Sequence, residues 1–389
     1  MTRSIKYFKA DIDDYKIFPY TEIKTGNNPF DFESDNKEVL KDFIVNSKDS
    51  SSLKLDEYLA ETSTTAFLVI RNDSILFEKY YNGYDRAQIS TLFSVSKSVT
   101  SLLVGLAVDD GYISSIKDPV TKYIPELADC DPKFKQLTIE NLLNMRSGLK
   151  FKETYSTPFS KLTRLYYGTN QLGKIKRMRF ECEPGTKHNY QSVTTAILGI
   201  VVENATGKEL GKYLEEKIWI PLGMENNATW SLDDKKHRSA KSFCGLNATA
   251  IDLAKIGRLY LNKGSWEGKQ IISSQWIEKS TTPDKKNDGY QYQWYNFSFM
   301  GTFHGQKYFP DSISVATKLD KLDFEDYQIL QDKSQDNQWW ADIYTSNFFA
   351  LGIMQQVLYV NPEKNIIIVR LGKDGDFDFL PFMYKMNFD

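Results

Sequence analysis

The sequence predicts an α+β fold: an antiparallel sheet flanked by helices, with a helical subdomain inserted between its strands. Two observations predict it. Strong β-hairpin signals stand near opposite ends of the chain, at 66–83 and 348–372, and two such hairpins most economically share one sheet. Between them, apolar residues recur at helical spacing. The implied division is an N-terminal extension over 1–50, an α/β sheet domain from 51–111 and 241–389, and a helical subdomain over 112–240.

Taken in order, residues 1–50 are mixed and polar, with turn residues at Gly26, Asn27, Asn28 and Pro29, and read as an extension draped over the main fold. A short helix is expected over 52–61. In AFLVIRNDSILFEKYYNG the β-rich runs Phe67 to Ile70 and Ile75 to Tyr81 flank the turn residues Asn72 and Asp73. Residues 91–111 open on polar residues and continue with Val99, Leu102, Leu103 and Leu106 on one helical face, stopped by Gly111. Further helices are expected in TIENLLNMRSGL, with Thr138 as cap and Gly148 as stop, and in the stretch from Ala196 to Gly207 that follows the Pro184–Gly185 turn. Others are expected in ELGKYLEEKIWIPLGM, broken by Pro221, in ATAIDLAKIGRLYLNKG and in SQWIEKS. Residues 284–346 are polar, aromatic-rich and weakly patterned, and read as a long loop or lid. The final run reads as two strands around an Asn361–Pro362 turn.

Composition narrows the function classes. At 389 residues with 41% hydrophobic content the chain can bury a sizeable core. Lys plus Arg (49) nearly balances Asp plus Glu (51), so there is no general electrostatic reason to bind nucleic acid or anionic membrane. No apolar run approaches the roughly 18 to 20 residues that span a bilayer, and the first twenty residues lack the apolar core of a signal peptide. Cys130, Cys182 and Cys244 are odd in number and widely spaced, which favours buried free thiols over a disulfide framework or a zinc site. His188, His237 and His304 form no H-E-x-x-H arrangement, and no G-x-S-x-G elbow supports a Ser-His-Asp triad.

The chemistry-bearing candidate is the tetrad Ser94-Val95-Ser96-Lys97. Residues three apart on a helix are neighbours, so the Lys97 amine would lie beside the Ser94 hydroxyl at the helix N-terminus. A serine hydroxyl is inert until a base takes its proton, and a partly buried lysine can lose its charge and serve. The same spacing recurs at Ser51 with Lys54 and at Ser114 with Lys117, but only Ser94 leads into a long amphipathic helix. The competing reading makes Ser94 a helix cap and Lys97 an exposed lysine.

Several stretches in order, LFSVSKSVTS, TIENLLNMRSGL, PGTKHNYQSVTTAILGIVVENATG, IWIPLGM, ATAIDLAKIGRLYLNKG, GYQYQWY and the final hairpin, together resemble the β-lactamase and penicillin-binding fold over roughly residues 60–380. More narrowly, the chain resembles the class C-type serine hydrolases, a family that includes esterases, D-aminopeptidases, DD-carboxypeptidases and 6-aminohexanoate-dimer hydrolase. The resemblance implies Ser94 as nucleophile and Lys97 as the group that accepts its proton or tunes a partner. Tyr190, in Tyr190-Gln191-Ser192, matches the family tyrosine that acts as general base and acid; the triplet recurs at Tyr344-Thr345-Ser346 without the preceding P-G-T. A phenol with a reference pKa of about 10 is a poor base, so Tyr190 is expected to need the positive charge of Lys97 beside it.

The family's third element, usually K-T-G or H-x-G on an edge strand, aligns with Ala350-Leu351-Gly352. Its implied roles are close backbone approach at Gly352 and an oxyanion hole from the N–H groups of Ser94 and Ile353. Ser192, Leu351, Gly352 and Trp294 are the expected substrate contacts, with Tyr155, Tyr166, Tyr167 and Trp294 as candidate cleft walls. Neither Ala350 nor Leu351 can hold a substrate carboxylate as the family's basic and hydroxyl side chains do; His304 and Arg146 are the cations that could substitute.

The resulting expectation is a serine hydrolase that cleaves an ester or amide of a small molecule or short peptide through an acyl-enzyme. It requires no metal and no organic cofactor, and binds no nucleic acid. Alternatives are a β-lactamase or DD-peptidase-like penicillin-interactive enzyme, and a non-catalytic binding module on the same fold. Family members often work in the bacterial envelope; a trimmed export segment would place this chain there, and otherwise it is expected in the cytoplasm.

Overall fold

A computed structural model describes residues 2–377 except 8, 35–39, 41, 47–51, 156, 288, 297, 300–307, 322–325, 333–335 and 374–376. The main sheet is built from β1 (Glu33–Ser34), β2 (Thr64–Arg71), β3 (Ser74–Tyr80), β4 (Tyr290–Gln291), β5 (Trp294–Tyr295), β6 (Phe348–Gly352), β7 (Gln356–Asn361) and β8 (Ile366–Gly372). Their spatial order is β4-β5-β6-β7-β8-β2-β3-β1. Every pairing is antiparallel except the short parallel edge of β1 on β3. The hairpins from the two ends of the chain meet where β8 pairs with β2, Val369 opposite Leu68.

Strand periodicity explains how this sheet is covered on both faces. Leu68, Ile70, Leu358, Val360, Ile367 and Val369 point into the large helical core. The alternate residues, Phe67, Val69, Val357, Tyr359, Ile366 and Ile368, point into a second core that includes Leu55 and Leu59 of the Leu55–Glu61 helix. A one-residue slip in register would exchange the two sets, so both cores fix the same pairing.

The helix α1 (Val95–Asp109) runs through the large core beside α2 (Ser192–Thr206), and α3 (Ala250–Leu261) packs on the sheet. Contrary to the single buried face expected of it, α1 is buried on all sides from Val95 to Ala107. Its serines and threonines make this possible by bonding to neighbouring segments. Ser98 Oγ donates to the Gln293 carbonyl (2.7 Å), Thr100 Oγ1 to the Ser242 carbonyl (2.8 Å), and Ser96 Oγ accepts from the Leu246 N–H (3.1 Å). At Gly105 a Cβ would lie 2.5 Å from the Trp276 ring, so only glycine lets that ring cross the helix.

Elsewhere the fold departs from the sequence reading in identifiable ways. The N-terminal segment is woven in: Tyr20–Ile23 pairs with Ala228–Ser231 in a second sheet that also contains Leu246–Ala248 and Ser90–Thr91. Ile12, Phe18, Ile23 and Phe32 join the main core. The helix after Thr138 is capped as expected, by Thr138 Oγ1 accepting the Asn141 N–H, but ends at Leu143 rather than at Gly148. Gly148 instead takes a left-handed φ of 70° where a Cβ would lie 2.6 Å from the Cys182 carbonyl. The supposed loop at 284–346 contains β4 and β5, a helix at Ser312–Asp320 and strands at Tyr327–Asp332 and Gln338–Ile343. Those last two strands bury Ala341 and Ile343 against Val315 and Leu319 in a small core of their own. The cysteines are free, but only Cys244 is fully buried. Among the described residues, no helix is long and apolar enough to cross a membrane.

Candidate active site

Strand Ser90–Thr91 delivers the chain to a tight turn in which Phe93 adopts a left-handed φ of 48°, an uncommon and costly state for a bulky residue. The N–H groups of Val95, Ser96 and Lys97 are already bonded to the carbonyls of Leu92, Phe93 and Ser94, so they are not available to a ligand. Ser94 stands at the cap position, yet its hydroxyl caps no backbone N–H. Lys97 Nζ lies 2.8 Å from Ser94 Oγ and 3.0 Å from the Phe243 carbonyl, with the lysine 1% exposed. Both parts of the competing reading, a capping serine and an exposed lysine, therefore fail. Of the other two copies of the tetrad, Ser114 and Lys117 are exposed and Ser51 lies outside the described residues.

Burial pushes the Lys97 ammonium down to about 8, with the negative charge of Glu153 acting in the opposite direction. Near neutral pH a useful fraction of a lysine so placed is the free amine. The Lys97 Nζ also sits 5.0 Å from the centroid of the Tyr190 ring.

Tyr190 is aimed by its neighbours. Gln191 turns inward, fully buried, donating to the carbonyls of Leu149 (2.9 Å) and Phe151 (2.8 Å) and accepting from Ser147 Oγ (2.9 Å). The Asn189 N–H donates to the Met145 carbonyl (2.9 Å). With its two neighbours pinned, Tyr190 projects toward Lys97, packs edge-on against Tyr290 (6.0 Å between centroids) and stacks with Tyr295 (6.4 Å). Burial pushes its phenol above the ordinary tyrosine range, while hydrogen bonding with Ser94 and Tyr295 pulls the other way. Burial thus acts against the phenolate form of Tyr190, as it acts against the ammonium form of Lys97.

Glu153 gave no sequence signal. It accepts from the Ser192 N–H (2.9 Å) and Ser192 Oγ (2.5 Å) at the start of α2, fastening the 149–155 segment beside Tyr190. Ser192, expected to contact substrate, thus has its hydroxyl engaged by Glu153. A cleft of about 800 Å³ opens beside this carboxylate, lined also by Lys150, Lys152, Thr157, Lys161 and Asn189.

The third element ends strand β6. A Cβ on Gly352 would lie 2.5 Å from the Leu92 carbonyl and 3.3 Å from Phe93 Cβ, so the close approach that demands glycine is to the Ser94 turn itself. That contact sets the end of β6, just before Ile353, against the Ser94 turn. Ala350 is buried, and partly buried Leu351 packs in the second core, on the sheet face away from the large helical core. Trp294, expected as a cleft wall, is fully buried between Tyr260 (4.5 Å between centroids) and Phe348 (5.3 Å). Tyr166 and Tyr167 are likewise core residues, whereas Tyr155 is exposed. Arg146 is committed to the Asn287 side chain (2.8 Å) and the Lys286 carbonyl (2.7 Å), and His304 lies outside the described residues.

One group of potential metal ligands occurs among the described residues, Asp233 with Asp234 and His237. Asp233 already accepts the N–H groups of Gln171, Asp234 and Ser239, and Asp234 those of Lys236 and His237, as anchors of a loop.

Comparison with known proteins bears on the same region. The family model described as Beta-lactamase matches residues 54–378. A 6-aminohexanoate-dimer hydrolase of Paenarthrobacter ureafaciens is 26% identical over 341 residues, covering 83% of this chain and 76% of its own. A structure from Bacillus anthracis, provisionally named a 6-aminohexanoate-dimer hydrolase, superposes with a TM-score of 0.74 at 21% identity, covering 97% of this chain and 92% of its own. EstCE1, described as a hydrolase with promiscuous acyltransferase activity, shares the fold at a TM-score of 0.57 and 13% identity, covering 81% and 90%.

Proposed function

The chain belongs to the Beta-lactamase family and is a hydrolase, and from that premise we propose that it cleaves an amide or ester of a small molecule through an acyl-enzyme on Ser94. The observation that carries this reading is the Lys97 amine: fully buried, 2.8 Å from Ser94 Oγ, and lowered to about 8. A buried lysine that hydrogen-bonds a serine hydroxyl and, among the described residues, forms no ion pair with a carboxylate is costly to the fold, and useful as a base.

In the proposed cycle the free amine of Lys97 takes the Ser94 proton as Oγ attacks the substrate carbonyl carbon. The N–H groups of Ser94 and Ile353 stabilise the oxyanion. Tyr190, whose phenol keeps its proton, donates it to the departing amine or alkoxide and is reprotonated through Lys97. The C–N or C–O bond breaks, leaving the acyl group on Ser94. Water then attacks, giving one proton back through the same pair and releasing the carboxylic acid. Lysine and tyrosine share protons as a unit, so pH-rate limbs belong to the pair rather than to either residue.

Ala350 and Leu351 offer no side chain to hold a substrate carboxylate, which supports amides or esters that are not anchored at this element over β-lactams and D-Ala-D-Ala peptides, which are. The amide preference is supported by the relative of 26% identity that is named for hydrolysis of an aminohexanoate dimer. The test is labelling by a fluorophosphonate probe together with rates on an aryl ester, an anilide of an aminohexanoyl group and a chromogenic cephalosporin. Labelling that persists in Ser94→Ala refutes the nucleophile. A cephalosporin rate comparable to the ester rate refutes the substrate class.

A further inference from the structure

The turn between β6 and β7 has backbone angles its sequence does not favour. Met354 and Gln355 both adopt left-handed φ, 61° and 59°. Consecutive left-handed positions in a hairpin turn are normally filled by Asn-Gly or Asp-Gly, because larger side chains resist that conformation. Two adjacent non-glycine residues hold it only where the surroundings over-determine it.

The surroundings do so from one side. Arg370, on the neighbouring β8 and fully buried, donates Nη1 to the Met354 carbonyl (2.5 Å) and the Gln355 carbonyl (3.1 Å), and Nη2 to the Thr62 carbonyl (2.9 Å). Gln356, also fully buried, donates Nε2 to the Ile353 carbonyl (3.2 Å), the Met354 carbonyl (3.1 Å) and the Gly372 carbonyl (2.6 Å), and accepts the Gly372 N–H at Oε1 (3.1 Å). Gly372 leaves space for the guanidinium, which a Cβ there would strike. All three carbonyls of the turn, those of Ile353, Met354 and Gln355, are thereby fastened by two buried side chains. The opposite side of the same segment is fixed by Gly352 against the Leu92 carbonyl.

We propose that Arg370 and Gln356 are positioning residues for the hydrolytic reaction: they clamp the strained Ile353–Gln355 turn so that the Ile353 N–H points at the oxyanion formed on Ser94. This rests on the function proposed above. Neither side chain touches substrate; each acts by fixing main chain whose displacement by a fraction of an ångström would weaken the donor.

The test is rescue by turn residues. In Arg370→Met the kcat for a saturating aryl ester falls at least about tenfold with little change in KM, since a misplaced oxyanion donor acts on the transition state. Adding Met354→Asn with Gln355→Gly, which adopt the turn without a clamp, restores kcat to within about threefold of wild type. Gln356→Met, alone and with the same pair, is the parallel series should Arg370→Met fail to fold; if neither single variant folds, the versions carrying Asn-Gly are to fold and turn over. A clamp variant with normal kcat, or Asn-Gly versions that recover nothing, overturns the proposal. A merely structural role of Arg370 at the Thr62 carbonyl would not respond to the turn sequence. Wild type that forms no acyl-enzyme on Ser94 would instead sink the function proposed above, and is seen separately by probe labelling.

Discussion

Replacing Lys97 by Met, a side chain of similar length with no charge, should make the protein relatively more stable at neutral pH while abolishing turnover. The magnitude follows from the amine itself. Burial lowers it from 10.5 to about 8, and each pKa unit is about 1.4 kcal/mol of linkage. A folded pKa depressed below the unfolded value means stability that is complete above 10.5 and lost as pH falls through 8. At pH 7 the wild type has therefore lost about 3 kcal/mol, and at pH 10 less than about 1 kcal/mol. The hydrogen bonds from Nζ to Ser94 Oγ and the Phe243 carbonyl are also removed by Met, but that loss is the same at both pH values to first order. The quantity to measure is the difference in unfolding free energy between variant and wild type, from urea titrations followed by tryptophan fluorescence at pH 7 and pH 10. The variant should gain about 2.5 kcal/mol relative to wild type on going from pH 10 to pH 7. A difference that stays constant within about 0.5 kcal/mol would mean that Lys97 is not held as a depressed amine, and the base assigned to Ser94 would be lost with it.

Three further outcomes follow from other parts of the site and core. Gly352→Ala places a methyl group 2.5 Å from the Leu92 carbonyl, backbone that cannot yield, so it should cost about 1–3 kcal/mol in urea unfolding and lower kcat; an active, equally stable variant would separate β6 from the Ser94 turn. Glu153→Gln removes the negative charge that opposes burial at Lys97, so the acidic limb of the kcat/KM profile should move to lower pH. Ser192→Ala, which keeps that charge, should leave the limb in place even if the rate falls. Glu203, pushed up to about 7 by burial, binds its proton more tightly folded than unfolded; stability is full below about 4.5 and declines as pH rises through 7. In Glu203→Gln that decline should shrink by up to about 3 kcal/mol, less for the part of the carboxyl that reaches solvent, and an unchanged slope in thermal melts between pH 4.5 and 7.5 would contradict it.

The parts of this molecule that were legible in the sequence are those whose cause is local. The Asn72–Asp73 hairpin, the cap at Thr138 and the left-handed Gly207 that ends α2 are each specified by residues within a few positions, and each was read correctly. Ser94, Lys97 and Tyr190 were singled out as candidates because S-x-x-K spacing and the P-G-T-x-x-x-Y order are themselves local. What escaped depends on partners far away in the chain. Glu153 belongs to the site only because the start of α2 folds back on it. Met354-Gln355 carries no turn signal, so one continuous strand was read where β6 and β7 meet; its turn is imposed by Arg370, fifteen residues and a strand later. Trp294 was taken for a cleft wall since an aromatic in a polar stretch gives no sign of which side it faces, and tertiary packing put it in the core. The strands and helix within 284–346 close a small core of a few apolar residues, too sparse to show as periodicity.

The central claim is that Ser94 becomes acylated. Intact-protein mass spectrometry after rapid quench of the enzyme with an excess of a slowly deacylating aryl ester, followed by peptide mapping, tests it most directly. The account predicts a mass increase equal to the acyl group, located on the peptide containing Ser94 and absent in Ser94→Ala and Lys97→Met. Turnover of the ester with no covalent increment, or an increment on any other residue, would contradict it.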